Sequence, residues 1–290
     1  MTLTPQTLPI VRSIADLRAN VAVWRRAGLT VGLVPTMGAL HEGHLSLVRL
    51  VKTRTDRCVA SLFVNPRQFA AHEDLDRYPR DEAGDAAKLQ SGGCDLLFAP
   101  PHAEIYPPGF ATSVAVDVVS SPLEGVIRPH FFGGVATVVA KLLLQCLPDV
   151  AAFGEKDYQQ LLVIRKLTAD LNIPVEIIAG ETVREADGAA MSSRNAYLTP
   201  AQRAIAGTLN LLLYDCAAEL AGGAFVNAAL DSLHGALIAA GFDTVEYAAL
   251  CDPETLAAIT TPILTRDARL LAAVTLGATR LIDNVAVLKA

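Results

Sequence analysis

The chain has 290 residues, of which 52% are hydrophobic and 19% are charged, so we expect it to fold around a core. Its formal net charge of -6 argues against a nucleic-acid-binding surface, which requires a basic stripe. The sequence contains no uncharged apolar run of about 18 residues and no secretory pattern at its N-terminus, so we expect no membrane span. The 5 cysteines lie far apart without a C-x-x-C pair, which favours free thiols in a reducing cytoplasm.

Taken from the N-terminus, helix and strand patterns alternate as far as Gly180. The first helix has apolar residues at helical spacing, with Ser13 as its N-cap and Gly28 at its end. An apolar run over 30–34 predicts a buried strand, and a helical pattern follows His41. The later helices are predicted over 81–90, 134–147 and 156–171, and the later strands over 57–64, 95–99, 112–119, 150–153 and 175–179. This alternation predicts an α/β fold with a Rossmann-like, doubly wound parallel sheet.

The order of elements changes in the last third of the chain. Two helices are predicted in succession, over 200–221 and 225–240, and they are followed by strands over 245–250, 270–276 and 280–287. This order is typical of an α+β domain. We therefore divide the chain into a larger Rossmann-like domain over 1–182 and a smaller α+β domain over 183–290.

The turn after the first buried strand carries the most informative pattern, His41-Glu42-Gly43-His44. A strand that ends in a glycine-containing turn and opens a helix is a common anion-binding arrangement, because backbone N–H groups and the helix dipole face the ligand. The two histidines are three residues apart, so they share one face of the first helical turn. The fingerprints of P-loop and dinucleotide-binding proteins are both missing. The sequence therefore predicts a phosphate site of a different kind.

Two further segments point to the same chemistry. Residues 153–160 follow a strand, and in a parallel sheet they lie at the same edge as His41. Lys156 at a helix start opposes the helix dipole, which an anionic ligand would explain. The loop over 191–195 offers two hydroxyls and Arg194, which can bind phosphate oxygens.

These motifs resemble known families. The His41 turn resembles the HxGH signature of the nucleotidyltransferase superfamily, and the loop over 191–195 looks like the KMSKS loop of class I synthetases without its leading lysine. The longer stretches closely resemble the pantoate–β-alanine ligase family, from residue 10 to the C-terminus. The matching stretches are 35–44, 63–66, 68–69, 77–80, 153–160 and 183–195.

The resemblance implies an activity and a set of partners. Members of that family condense pantoate with β-alanine to pantothenate through a pantoyl-adenylate, using ATP with Mg²⁺ and releasing AMP and pyrophosphate. The expected partners are these small molecules and a second copy of the chain in a homodimer. We expect no binding to nucleic acid or to a membrane. The domain over 1–182 is then expected to bind ATP and pantoate, and the domain over 183–290 to close over the site.

The resemblance also implies roles for individual residues. The expected catalytic residues are His41, His44, Lys156, Ser192, Ser193 and Arg194. The expected ATP-binding residues are Met37, Gly43, His44, Gly154, Lys156, Asp157, Val183, Met191, Ser192, Ser193 and Arg194. The expected pantoate-binding residues are Pro35, Met37, Phe63, Gln68 and Gln160. Gln68 and Asn65 are expected to bind β-alanine, and Asp85 is expected to bind Mg²⁺.

The chain departs from the family pattern at two places. The family reads Arg-Pro-x-His-Phe-x-Gly-Val before its long helix, whereas here Phe131 takes the histidine position and His130 stands one place earlier. The acidic pair expected after Tyr78 is reduced to Asp85, so phosphate oxygens and waters could coordinate Mg²⁺ instead. Two alternatives to a ligase stay open: a nucleotidyltransferase that delivers AMP or CMP to a phosphate, and a nucleotide-binding regulatory module without catalysis.

Overall fold

The structure is a computed structural model that describes residues 7–70 and 75–289. Over these residues the chain forms two compact units. The first unit contains the described chain up to Glu155 and also Gln160–Glu181, and the second contains Lys156–Gln159 and the chain from Thr182 onward. The domains expected from sequence were continuous. The structure differs from them in one respect, because Lys156–Gln159 belong to the second unit. The division into domains over 1–182 and 183–290 otherwise stays a prediction.

A parallel sheet lies at the centre of the first unit. Over the described residues its strands are β1 (Ile10–Val11), β2 (Val31–Thr36), β3 (Arg57–Leu62), β4 (Leu96–Phe98), β5 (Val150–Gly154) and β6 (Glu176–Gly180). The accompanying helices are α1 (Ile14–Arg26), α2 (Glu42–Lys52), α3 (Glu82–Ser91), α4 (His102–Ile105), α5 (Glu124–Ile127), α6 (Phe131–Cys146) and α7 (Tyr158–Asp170). The strand order is β1-β4-β3-β2-β5-β6 with every pairing parallel, which confirms the predicted doubly wound sheet.

The strand order reverses between β2 and β5. From β2 the chain builds outward through β3 and β4, and it then returns to add β5 and β6 on the other side of β2. Ligands of open α/β sheets bind outside the carboxyl ends of the strands at such a reversal. Thr36 at the end of β2 and Gly154 at the end of β5 therefore mark the edge where a ligand is expected.

The alternation of side chains along β2 separates two core layers. Val31 and Leu33 pack into the cluster that includes α6, whereas Val34 packs with Val48 and Val51 of α2. Gly32 allows the close approach of α2, because a Cβ at this position would lie 2.0 Å from Cγ1 of Val51. This packing fixes the direction in which α2 leaves the sheet edge, and so fixes the position of its first turn.

The opposite edge of the sheet is held by a cluster of charges around Asp95. Its carboxylate accepts hydrogen bonds from Lys52 at 2.9 Å, from Arg57 at 2.8 Å and from the Cys58 N–H at 2.8 Å. Burial raises the pKa of the Asp95 carboxyl, but these hydrogen bonds outweigh burial and lower the pKa below its ordinary value of 3.8. The cluster therefore stabilises the fold away from the edge where a ligand is expected.

The second unit has a layer of helices on an antiparallel sheet. Its helices are α8 (Pro200–Ala206), α9 (Thr208–Ala221) and α10 (Val226–Ala240), and its strands are β7 (Thr244–Cys251), β8 (Ala268–Leu276) and β9 (Thr279–Val287), in the order β7-β8-β9. Leu213 and Leu220 of α9 pack with Leu270 and Val274 of β8 in one core. The predicted α+β pattern is confirmed, except that the helix expected over 200–221 is interrupted at Gly207.

The helical stretch Pro200–Ala221 is the one part of the described chain that is long and apolar enough to cross a membrane by length and composition alone. Leu209, Leu213 and Leu220 of this stretch are buried in the core of the second unit. Its apolar character is therefore accounted for by packing within a folded domain.

Two predicted elements are wrong in detail. Residues 112–119 form no strand, because Val116 and Val119 face the core without a neighbouring strand, and the Val114 N–H instead donates to the Thr137 hydroxyl at 3.0 Å. Lys156 does not begin an α-helix but lies in a 3₁₀ turn over Glu155–Asp157, directly before α7. The short strand β1 was not predicted, because two residues carry no periodic pattern.

Candidate active site

The turn between β2 and α2 has an unusual backbone that a buried carboxylate stabilises. Gly38 and Ala39 both have positive φ, 92° and 51°. The Asp85 carboxylate of α3 accepts the N–H groups of Ala39 and Leu40, each at 2.8 Å, and Asp85 is only 1% exposed. Lys88 donates to the Leu40 carbonyl oxygen at 2.8 Å. Two backbone N–H groups of this turn thus bind an anion of the protein itself.

The two histidines lie together at the beginning of α2. His41 is the N-cap and His44 is the third helical residue, and their ring centroids are 4.1 Å apart. The His41 N–H donates to Nδ1 of His44 at 3.3 Å. Because Nδ1 accepts this hydrogen bond, the neutral His44 ring carries its proton on Nε2. His44 therefore presents an N–H donor, which suits a phosphate oxygen, and the helix start holds its ring in place.

Asn65 is a buried residue that orients Gln68. Asn65 is 1% exposed, and its Oδ1 accepts the Tyr106 hydroxyl at 2.9 Å. Its Nδ2 donates to Oε1 of Gln68 at 2.9 Å and to the Gly134 carbonyl oxygen at 3.1 Å. With Oε1 engaged in this way, the Nε2 amide of Gln68 is the group suited to donate to a carboxylate or hydroxyl. The geometry favours a positioning role for Asn65, and its predicted contact with β-alanine stays a prediction.

The predicted apolar residues of the first unit differ in exposure. Phe63 is buried beside Tyr106, with ring centroids 6.0 Å apart. Pro35, near the end of β2, and Met37, directly after β2, are partly exposed. A cleft of about 350 Å³ is lined by Phe63 but by none of the other predicted residues. Gln160, in the first turn of α7, also belongs to the first unit and is partly exposed.

The predicted phosphate-binding residues of the second unit lie on two short segments. Lys156 and Asp157 are adjacent in the 3₁₀ turn after Gly154, and Nζ of Lys156 lies 3.5 Å from Oδ1 of Asp157. The other segment is a hairpin in which the Met191 N–H donates to the Val183 carbonyl oxygen at 3.0 Å. It continues into a 3₁₀ turn over Ser193–Tyr197 with Ser192 as its N-cap.

Comparison with known proteins identifies the family. A sequence model of the family described as Pantoate-beta-alanine ligase matches residues 9–286. The chain belongs to this family. It is 59% identical over 278 residues to the pantothenate synthetase of Paramagnetospirillum magneticum, a match that covers 96% of this chain and 97% of the relative. Membership confirms the resemblance inferred from the motifs.

Solved structures of pantoate–β-alanine ligases share the fold. Pantothenate synthetase from Thermus thermophilus matches with a TM-score of 0.88 at 45% identity, covering 96% of this chain and 99% of that chain. The ligase from Francisella tularensis, solved in complex with β-γ ATP and β-alanine, matches with a TM-score of 0.79 at 32% identity, covering 97% and 98%. Both matches extend over both units of the chain.

The predicted magnesium site does not fit the described side chains. Both oxygens of Asp85 accept backbone N–H groups, and Mg²⁺ prefers an octahedron of oxygen ligands. Within residues 7–70 and 75–289 no group of three or more His, Cys, Asp or Glu side chains could hold a metal ion. The geometry therefore favours a structural role for Asp85.

The departure from the ligase pattern before α6 has a local structural role. His130 is exposed at the N-cap of α6, and the Phe131 ring centroid lies 3.9 Å from the Arg128 guanidinium carbon. Arg128 donates to the Gln68 backbone oxygen at 3.2 Å. Phe131 thus packs against a cation that contacts a predicted substrate-binding residue.

Sequence reasoning missed the residues that orient others. Tyr106 and Arg128 act on Asn65 and Gln68 from positions far away in the sequence, and no motif around them indicates such contacts. Asp85 was noticed as an acidic residue but was assigned to a metal. A possible signal was the position of Asp85 inside α3, since a carboxylate that is buried in a helix requires hydrogen-bond partners.

Proposed function

We propose that this chain, a ligase that joins pantoate to β-alanine, works through a pantoyl-adenylate formed from ATP. The observation that carries the proposal is the family match over residues 9–286, which includes the paired histidines at the sheet reversal. A carboxylate is a poor electrophile because it is anionic and resonance-stabilised. Adenylation converts it into a mixed anhydride with AMP as the leaving group.

The reaction then has two steps. In the first, a carboxylate oxygen of pantoate attacks the α-phosphorus of ATP, and pyrophosphate leaves with the bonding electron pair. In the second, the amine nitrogen of β-alanine attacks the acyl carbon, the C–O bond to AMP breaks, and the nitrogen loses a proton to form the amide. The first step builds negative charge on phosphate oxygens, so fixed donors at those oxygens accelerate it.

We assign the donors on both units. In the first unit, the Nε2–H of His44 and the His41 side chain bind ATP phosphate oxygens, with Met37 and Gly43 beside the nucleotide. In the second unit, Lys156 and Arg194 provide charge. The remaining ATP-binding assignments are Gly154, Asp157, Val183, Met191, Ser192 and Ser193.

Pantoate is assigned to the first unit. The amides of Gln68 and Gln160 bind its hydroxyls and carboxylate. An uncharged amide can do so without the tight ion pair that would reduce the nucleophilicity of the carboxylate. Met37 and Phe63, with Pro35, provide an apolar wall for the two methyl groups of pantoate. Gln68 also contacts β-alanine.

We place Mg²⁺ on the substrate and not on protein carboxylates. The ion enters as the complex with ATP, coordinated by phosphate oxygens and water, which agrees with the poor fit of Asp85 to a metal. We also propose that the ligase works in the cytoplasm as a homodimer. The 5 cysteines, all buried and free, are compatible with a reducing compartment.

Exchange of labelled pyrophosphate into ATP tests the first step. We expect exchange to depend on pantoate and not on β-alanine, and pantothenate to form only when all three substrates are present. Equal exchange without pantoate would favour a nucleotidyltransferase. Binding of ATP without any pantothenate formed over a long incubation would favour a regulatory module.

Two substitutions test the assigned donors. His44→Ala and Lys156→Ala should each lower turnover by about 10²–10³-fold, the usual effect of removing one charge-stabilising donor. The matched controls are His234→Ala on the exposed face of α10 and Lys166→Ala, which removes a surface ion pair with Asp170. Normal turnover in both site variants would contradict the assignment.

A further inference from the structure

The second unit contains two adjacent buried polar residues near the end of the chain, Asp283 and Asn284 on β9. Asp283 is 2% exposed and Asn284 is 4% exposed. A carboxylate or carboxamide is costly to bury unless its polar atoms are hydrogen-bonded. The partners of this pair therefore indicate what the pair does.

Asn284 binds the backbone of Lys156–Gln159, which we call the Lys156 segment. Its Nδ2 donates to the Lys156 carbonyl oxygen at 3.0 Å, and its Oδ1 accepts Nε of Arg269 at 2.6 Å. The Arg269 guanidinium carbon lies 4.2 Å from the centroid of the Tyr158 ring, and the Tyr158 hydroxyl donates to the Pro253 carbonyl oxygen at 2.9 Å. These contacts explain why Lys156–Gln159 belong to the second unit.

Asp283 binds the base of the hairpin that leads to Ser192. Both terminal nitrogens of Arg184 donate to the Asp283 carboxylate, at 2.6 Å and 3.1 Å. Arg184 also donates to the Gly188 carbonyl oxygen at the hairpin tip, at 3.2 Å. The Asn284 N–H donates to Oδ1 of Asp283 at 2.8 Å, which joins the two members of the pair. A planar bidentate pair of this kind fixes orientation as well as distance.

We propose that Asp283 and Asn284 are positioning residues that hold the Lys156 segment and the hairpin before Ser192 in one fixed arrangement. Adjacent residues of a single strand hold the two segments, so the spacing between Lys156 and Arg194 is set by β9. The proposal rests on the proposed function, which assigns both segments to the phosphates of ATP. Loss of the pair should therefore impair the use of ATP more than the use of pantoate.

Asn284→Asp is the direct test. The substitution keeps the size of the side chain and an acceptor for Arg269, but it replaces the donor to the Lys156 carbonyl with an oxygen. We expect the KM for ATP to rise and pyrophosphate exchange to fall by about tenfold, the scale of one hydrogen bond in a fixed geometry. The KM for pantoate should stay close to that of the wild type. The matched control is Arg280→Gln. Arg280 lies on β9, the same strand as Asn284, and the substitution breaks its 2.7 Å ion pair with Glu246 of β7.

A double variant separates positioning from folding. Because Asn284 acts through Lys156, adding Asn284→Asp to Lys156→Ala should cause no further loss of exchange. Losses that multiply, or kinetics of Asn284→Asp that match those of Arg280→Gln, would overturn the proposal. If Asn284→Asp does not fold, Tyr158→Phe is the second variant: it removes the hydroxyl bond to Pro253 and should also raise the KM for ATP.

Hydrogen exchange provides a readout that does not need catalysis. The amides of 156–159 should exchange faster in Asn284→Asp than in Arg280→Gln. Unchanged protection of these amides would overturn the positioning role even if the wild type is fully active. The two proposals can fail separately. If the wild type shows no pantoate-dependent pyrophosphate exchange, the proposed function is refuted. If the amides of 156–159 nevertheless exchange hydrogen faster in Asn284→Asp, the positioning role stays in place.

Discussion

Replacing Asp85 tests whether this residue holds the turn before the histidines or binds Mg²⁺. Asp85→Asn keeps one acceptor oxygen and replaces the other with an NH₂ group that faces a backbone N–H. A hydrogen bond to a charged group contributes about 1.5–3 kcal/mol, so the loss of one should lower the free energy of unfolding by about 2 kcal/mol.

The same substitution should affect catalysis through the shape of the turn. Ala39 has a φ of 51°, and a left-handed conformation costs a non-glycine residue about 1–2 kcal/mol. Without both hydrogen bonds from Ala39 and Leu40 this strain favours another conformation, and His41 and His44 follow directly in the chain. We expect turnover to fall by about tenfold or more, since about 1.4 kcal/mol corresponds to a factor of ten.

The assay is a titration of pantothenate formation with Mg²⁺ at saturating ATP, combined with urea unfolding. A positioning role predicts lower turnover and lower stability with an unchanged half-saturating Mg²⁺ concentration. Asp81→Asn is the matched control, because it removes a carboxylate from the N-cap of the same helix while asparagine remains a good N-cap. A selective rise in the half-saturating Mg²⁺ concentration, with turnover restored at high Mg²⁺, would refute the reasoning and identify Asp85 as a metal ligand.

Two more predictions concern the first unit. Tyr106→Phe removes the hydroxyl that orients Asn65, and so it should raise the KM for pantoate by about fivefold through Gln68, the effect of one neutral hydrogen bond; an unchanged KM in steady-state kinetics would contradict this. Asp95→Asn should lower stability at pH 7 by about 1–2 kcal/mol without changing turnover. Because the folded pKa of Asp95 is depressed, its contribution is present above the ordinary value of 3.8 and is lost as the pH falls through the lower folded value. The free energies of unfolding of the wild type and of Asp95→Asn, measured with urea, should therefore converge below that pH. A difference that stays constant with pH would show that the charge of Asp95 does not cause the loss of stability.

The elements that carry the candidate site residues of the first unit could be predicted from local patterns. The strand before Pro35 and the helix after His41 are specified by short-range periodicity and a turn. The parallel sheet then follows from the alternation of strands and helices. The same reasoning was wrong for residues 112–119, because alternating burial resembles a strand even where no neighbouring strand is present to pair with it.

The supporting contacts could not be predicted, because they join residues that are distant in sequence. Asp85 lies 46 residues from Ala39, and Asn284 lies 128 residues from Lys156. Neither pair is marked by a local motif, and the buried polar residues look in the sequence like ordinary helix or strand residues. The candidate site residues were thus accessible from sequence, whereas what orients them required the fold.

Substitutions of Asp85 and Asp283, both buried acids, distinguish geometry from net charge. Each lies in a unit that is expected to bind ATP, which is strongly anionic. Asp85→Asn and Asp283→Asn each remove a negative charge. If only the electrostatic field of the whole protein mattered, both substitutions would tighten the binding of ATP. The positioning argument predicts the opposite, because each carboxylate is already compensated by N–H groups or by Arg184. Buried contacts are also screened little by salt. A rise in the KM for ATP that persists at high ionic strength would therefore identify geometry, and not net charge, as the contribution of these two residues.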